Sequence, residues 1–292
     1  MSSINTDIEK MITDATGKPF ELADKSGIGG GCIHMTSRIR GEDGRTFFLK
    51  QNSADHITGF EAEALALEVM AKTDTIRVPQ PIGCMLSGRQ AILVMEYLSL
   101  GGRSGDWSEM GRQLARMHKQ SGEAFGWDSD NFIGSTPQLN CWKDNWIEFY
   151  RDYRLRPQME WARKRGLGLA DGQALLDSLD GFFQYYSPQP SLLHGDLWSG
   201  NASFLQDGSP VIFDPAAYYG DRETDLGMTE MFGGFTSAFY DAYNSEWPID
   251  PGYRVRKSLY ILYHELNHYN LFGGGYGYQA ESTISRLLKS LA

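Results

Sequence analysis

Apolar residues change their spacing along this chain, and the changes mark its elements. Between residues 6 and 15 they recur at helical intervals, which predicts a short first helix. From Phe20 to Lys50 the pattern becomes that of strands, with a β-rich run at Thr46-Phe47-Phe48-Leu49-Lys50 and a hairpin signal at Asp43-Gly44. Glycines interrupt that region at Ser26-Gly27-Ile28-Gly29-Gly30-Gly31-Cys32-Ile33. Residues 59 to 71 are dense in Ala, Leu and Glu and predict a second helix, closed by Val78-Pro79. Ala91-Ile92-Leu93-Val94-Met95 reads as a buried strand that runs into Glu96-Tyr97-Leu98. Residues 98 to 105 are glycine-rich and predict a linker.

Past the linker, helical spacing dominates. Asp106 followed three residues later by Glu109 makes a capping arrangement, and further helices are predicted at about 145–163, 171–183, 223–231, 236–244, 253–267 and 278–291. Among them lie a short apolar approach at Leu192-Leu193-His194 and two strands, 202–205 and 211–214, joined by a turn at Asp207-Gly208. A β-rich first third and a helical remainder holding one hairpin predict a two-lobed α+β protein, with residues 1–98 as the first lobe and 99–292 as the second.

Composition narrows the classes of function. Hydrophobic residues make up 41% and charged residues 22%, as in an ordinary soluble globular protein. No apolar run reaches the roughly 18–20 residues of a membrane helix, and the first residues lack the basic and apolar regions of a secretory signal, so a cytoplasmic protein without a membrane partner is expected. A net charge of −10 argues against nucleic acid as a partner. Three widely spaced cysteines, Cys32, Cys84 and Cys141, do not make a disulfide framework.

The densest chemistry is His194-Gly195-Asp196-Leu197-Trp198-Ser199-Gly200-Asn201, followed by Val211-Ile212-Phe213-Asp214. His-x-Asp, an Asn five residues after that Asp, and a second Asp ending an apolar run form the layout of a kinase catalytic loop and its metal-binding Asp. Phosphoryl transfer needs one carboxylate to orient the attacking hydroxyl, here Asp196, and oxygen ligands for Mg²⁺, here Asn201 and Asp214, which the hairpin is expected to bring together. The loop Gly27, Gly29, Gly30 and Gly31 would bring backbone N–H groups to ATP phosphates, although glycine runs are also common in hairpins. No Gly-Lys-Ser/Thr follows, which excludes a Walker A loop. Lys50 is the candidate phosphate lysine, with Glu63, or alternatively Glu61, as its helix partner. Met95, Glu96, Tyr97 and Leu98 would form the hinge that offers backbone groups to adenine. All of these parts occur in kinase order.

At this level the chain resembles the fructosamine kinases and fructosamine-3-kinase-related proteins, over most of its length. The string with Trp198 inside it, Phe213-Asp214-Pro215-Ala216, the segment Tyr219 to Leu226, Met231-Phe232-Gly233-Gly234-Phe235 and the loop from Gly27 to Cys32 carry the resemblance. It implies a protein-kinase-like fold and ATP- and Mg²⁺-dependent phosphorylation of the 3-hydroxyl of ketoamines, fructosamine or ribulosamine, which releases the amine in deglycation. The family positions map to Lys50, Asp196, Asn201 and Asp214. Trp198 is read as a wall of the sugar pocket or as a packing aromatic. Asp221, Glu223 and Asp225 are read as groups that meet the substrate amine, stabilise the loop or cap a helix. The resemblance also points to redox sensitivity at Cys32, and so to a monomer or a redox-linked homodimer.

Two rivals remain on sequence grounds. An aminoglycoside- or choline-type phosphotransferase would share the catalytic residues but usually lacks the Trp. His264-Glu265-Leu266-Asn267-His268 fits the H-E-x-x-H pattern of zinc hydrolases, though no third His follows at metzincin spacing.

Overall fold

The strand periodicity of the first third and the helical periodicity of the remainder are both realised in the computed structural model, which describes residues 3–29 and 34–291. In chain order the elements are α1 (Ser3–Thr16), β1 (Leu22–Gly27), β2 (Met35–Gly41), β3 (Thr46–Ser53), α2 (Ile57–Lys72), β4 (Pro81–Ser87), β5 (Gln90–Glu96), β6 (Leu100–Gly102) and α3 (Trp107–His118). Then come β7 (Asn131–Ile133), β8 (Thr136–Gln138), α4 (Trp146–Tyr150), α5 (Arg156–Lys164), α6 (Gly172–Asp177), β9 (Ser191–Leu193), β10 (Ala202–Leu205), β11 (Pro210–Ile212) and β12 (Tyr218–Gly220). Four helices end the chain: α7 (Glu223–Met231), α8 (Ser237–Glu246), α9 (Tyr253–Phe272) and α10 (Tyr276–Leu291). The chain divides into two compact units. One holds residues 1–105 and 203–214, the other 106–202 and 215–292, so the hairpin segment 203–214 belongs with the first unit rather than with the residues that flank it.

In the first unit an antiparallel sheet runs β1-β2-β3-β5-β4. Side chains alternate across it. Phe47 and Leu49 of β3 and Ile92 and Val94 of β5 share one face with Ile39, and Ile8, Ile12 and Phe20 close a core over that face. Each such buried side chain stabilises the unit by about 1.5–3 kcal/mol. Lys50, adjacent to Leu49 and paired with Leu93 of β5, therefore emerges on the opposite face. Helix α2 packs on β4 and β5 through Phe60, Leu67 and Met70. The expected linker instead contains β6, which pairs with β10 in a small sheet completed by β11. The turn between β10 and β11 uses Gly208 at φ +84°, a left-handed conformation that favours glycine.

The second unit is mainly helical, with α3 against α8, α7 against α9, and α10 and α5 against α9. Asp106 caps α3, its side chain accepting the Glu109 N–H at 2.9 Å. The stretch expected as one helix over 145–163 is α4, a π-helical turn at Arg151–Leu155, and α5, with Pro157 in the first turn of α5. Proline has no N–H to give to an uninterrupted ladder, and the wider turn accommodates it. The expected helix 171–183 likewise breaks into α6 and a 3₁₀ turn at Leu179–Phe182. Among the described residues no helix is long and apolar enough to cross a membrane.

Candidate active site

In the first unit the site is built around one buried cation. The Nζ of Lys50 lies 2.6 Å from Oε1 of Glu63 and 2.5 Å from Oδ1 of Asp214. Its side chain is only 5% exposed and that of Glu63 11%, so their contact sits in a poorly screened setting, whereas Asp214 keeps 48% of its side chain exposed. Burial opposes the Lys50 charge, but Asp214 and Glu63 outweigh it and hold the amine above its ordinary pKa. Burial pushes Glu63 up, against the pull of Lys50. Of the two glutamates left open by the sequence, Glu63 is the one that reaches the lysine. Phe60, Glu63, Leu67 and Met70 fall at spacings of three and four, so Glu63 lies in phase with the buried stripe, whereas Glu61 and Glu68 face solvent. Asp214 stands at φ +59° just after β11, a conformation rare outside glycine.

The glycine loop is described in part. Gly27 ends β1 and Gly29 follows it, both exposed, and a Cβ at either would meet nothing within 4 Å. Gly30, Gly31 and Cys32 lie outside the described residues. His34 follows them, with Nδ1 2.8 Å from the Asn52 amide. Burial first, then Lys50 and His56, lower its pKa to about 4. At the expected hinge, Met95 is buried, Glu96 accepts from the Arg77 guanidinium, the Tyr97 ring lies 5.9 Å from the Arg38 guanidinium, and Leu98 is half-buried.

The second unit holds the HGD loop by its backbone. Asp225, fully buried on α7, accepts the N–H of His194 at 2.7 Å on one oxygen and that of Gly195 at 2.8 Å on the other. His118, from the last turn of α3, meets the same carboxylate at 3.0 Å through Nε2 and the Tyr243 hydroxyl at 2.8 Å through Nδ1. Burial disfavours the Asp225 charge, yet these donors prevail and hold its pKa below the usual carboxylate value. Gly195 has φ +81°, and a Cβ there would collide with the Ala216 carbonyl. That carbonyl also accepts the Gln138 amide at 2.9 Å, while Asn131 donates to Ala217 O at 2.8 Å. Hairpin β7–β8 therefore braces the segment opposite the loop. Asn201 turns its amide nitrogen to Asp196, 2.9 Å from the carbonyl and 3.3 Å from Oδ2. Trp198 is 39% exposed, with Phe232 edge-on at 6.0 Å.

Of the three readings of Asp221 and Glu223, burial favours loop stabilisation over contact with the substrate amine: both side chains are fully buried. Asp221 accepts the hydroxyls of Tyr260 at 2.5 Å and Tyr186 at 2.9 Å, and Glu223 takes a two-pronged ion pair from Arg256 at 2.7 and 2.8 Å. Burial raises Glu223 to a pKa of about 8 against the pull of Arg256. Buried carboxylates satisfied in this way brace the start of α7.

The H-E-x-x-H string gives no metal centre. His264 is fully buried with neither ring nitrogen hydrogen-bonded, and burial, then His268, lower its pKa to about 3. His268 Nδ1 contacts the His264 carbonyl at 2.8 Å, and among the described residues no group of three or more His, Cys, Asp or Glu could hold a metal.

The fructosamine kinase family model matches residues 4–290. The chain is 46% identical to a probable ketoamine kinase of Synechocystis over 97% of its length and 96% of that protein's. It is 44% identical to the chloroplastic protein-ribulosamine 3-kinase of Arabidopsis thaliana, over 94% of this chain and 86% of the other. A crystal structure from Haemophilus somnus, described as a fructosamine-3-kinase, superimposes with a TM-score of 0.89 at 28% identity, over 96% of each chain. Kinase-like neighbours at about 14% identity, a choline kinase among them, share the fold alone. Two units bearing a lysine–glutamate–aspartate cluster and an HGD loop, matched along nearly the whole sequence, make this chain a member of the fructosamine kinase family, with its protein-kinase-like fold.

Proposed function

We propose that the protein transfers the γ-phosphoryl group of ATP to the 3-hydroxyl of a ketoamine, a fructosamine or ribulosamine. The observation that carries this reading is the family match over residues 4–290 in a chain that retains the HGD loop, Asn201, Asp214 and the paired Lys50. In this reading Lys50 stays charged and offers its N–H donors to phosphate oxygens, with Glu63 fixing its position. The Asp196 carboxylate accepts the proton of the sugar hydroxyl as that oxygen forms its bond to phosphorus and ADP leaves. Trp198 presents a partly exposed ring to the apolar face of the sugar. Asp225 acts through the loop it holds and is a positioning residue.

The donor set fits a hard dication. Asp214 keeps its side chain 48% exposed while paired with Lys50, and Asn201, its amide nitrogen committed to Asp196, has an amide oxygen to give. Mg²⁺ held by these two residues would neutralise charge on the ATP phosphates.

The test is ADP release from Mg-ATP with a synthetic ribulosamine, a fructosamine, an aminoglycoside and choline offered in turn. Release that depends on a ketoamine supports the proposal. Release with choline or the aminoglycoside, and none with either ketoamine, would replace it with the rival phosphotransferase.

A further inference from the structure

Within the second unit, helices α7, α9 and α10 line an open cavity of about 620 Å³. Phe232 and Tyr276 contribute its aromatic walls, and Glu265, Thr283 and Arg286 are among its polar lining. Glu265 is 7% exposed. Its Oε1 accepts the Thr283 hydroxyl at 3.2 Å, and its Oε2 is buried with no hydrogen-bond partner among the described residues. Thr283 also accepts from the Arg286 guanidinium at 2.9 Å. A carboxylate and a guanidinium thus line one cavity, bridged by a hydroxyl. An unsatisfied buried carboxylate oxygen is costly, and a ligand N–H donor would remove the cost.

The cavity adjoins the ring proposed to meet the sugar. Phe232, 43% exposed, lies edge-on to Trp198 at 6.0 Å and 5.2 Å from the His268 ring, which in turn lies 5.0 Å from Tyr276. An aromatic path therefore leads from Trp198 to the cavity.

We propose that this cavity is a subsite for the α-ammonium and α-carboxylate groups of a free basic amino acid, with Glu265 taking the ammonium and Arg286 the carboxylate, when the ketoamine is borne on that amino acid's side-chain amine. The inference rests on the ketoamine kinase reading above and deepens it. The aliphatic side chain of the amino acid would lie along Phe232. A protein-borne lysine has neither free group and would not fill the subsite.

Two measurements test this with different dependence on that reading. In the first, kcat/KM is compared for the ribulosamine of lysine and for that of butylamine, in wild type, Glu265→Gln and Arg286→Leu. The lysine derivative should be preferred, and each variant should cut the preference ratio by about ten- to a hundredfold, the worth of one charge-assisted hydrogen bond. In the second, free lysine is titrated calorimetrically into the nucleotide-free protein, with butylamine as control. Lysine should bind, butylamine should bind more weakly, and Arg286→Leu, at an exposed position outside the core, should abolish the difference. Lysine binding without turnover of any ketoamine would sink the kinase reading and keep the subsite. Equal use of the two ribulosamines, together with no difference between lysine and butylamine in the titration, would overturn the subsite.

Discussion

Lys50 Nζ lies 2.5 Å from Asp214 Oδ1, across 164 positions of sequence, so strand β3 and the segment that leaves β11 meet at one charge pair. A third group, Glu63, meets the same amine. Replacing Lys50 with Met would leave two carboxylates facing an apolar end. The variant should lose about 10²–10³-fold in kcat/KM, the usual cost of removing one electrostatic stabiliser of a transition state. Steady-state ADP release, with circular dichroism to check folding, measures this. Turnover near wild type would remove Lys50 from the phosphate site.

Asp225→Asn tests the support of the HGD loop. The carboxylate accepts from His194 N–H, Gly195 N–H and His118, and an amide would turn an NH₂ group against one of those donors. Charge-assisted hydrogen bonds are worth about 1.5–3 kcal/mol each, so melting temperature and kcat should fall together. The pH dependence has a definite sign. The folded pKa of Asp225 is depressed, so its contribution is present above the unfolded value of 3.8 and is lost as pH falls through the lower folded value. Acid-unfolding curves of wild type and variant should converge below pH 3.8.

His264 predicts a second acid limb. Its folded pKa of about 3 lies below the ordinary 6.5, so between those values the ring is neutral when folded and protonated when unfolded. The unfolded state then binds more protons, and stability declines as pH drops from 6.5 toward 3. His264→Leu removes two unpartnered ring nitrogens and should flatten that decline in a denaturant series run from pH 7 to pH 4. The same variant should show the same zinc content as wild type by elemental analysis. A mole of zinc lost with the histidine would revive the H-E-x-x-H reading.

Trp198→Ala should raise KM for the ketoamine by about three- to tenfold, as expected for the loss of an aromatic contact worth ~0.5–1.5 kcal/mol. An unchanged KM would assign the ring to packing against Phe232 instead.

The parts of the site with local signatures were legible in the sequence. His194, Asp196, Asn201 and Asp214 announce themselves by spacing, whereas the choice between Glu63 and Glu61 stayed open until the fold placed Glu63 in phase with Phe60, Leu67 and Met70 and against Lys50. What escaped depends on partners far along the chain. Asp221 and Glu223 read locally as an exposed acidic run before a helix, but their partners, Tyr260 and Arg256, lie 39 and 33 residues away. His118 carries no local signature, because its partner Asp225 is 107 residues on. Hairpin β7–β8 has three-residue strands with a Pro in one, too short for any periodicity to show. The helix read through 145–163 is interrupted around Pro157, a breaker that the apolar spacing concealed.

The most direct test of the central claim is single-turnover transfer from Mg-ATP to a synthetic ribulosamine, with the phosphorylated carbon located by NMR, in wild type and Asp196→Asn. Phosphate is expected on the 3-hydroxyl, with a loss of about 10²–10⁴-fold in rate for the variant, the usual worth of a general base, and with ATP affinity retained. A near-normal rate in Asp196→Asn, or phosphate on another hydroxyl, would contradict it.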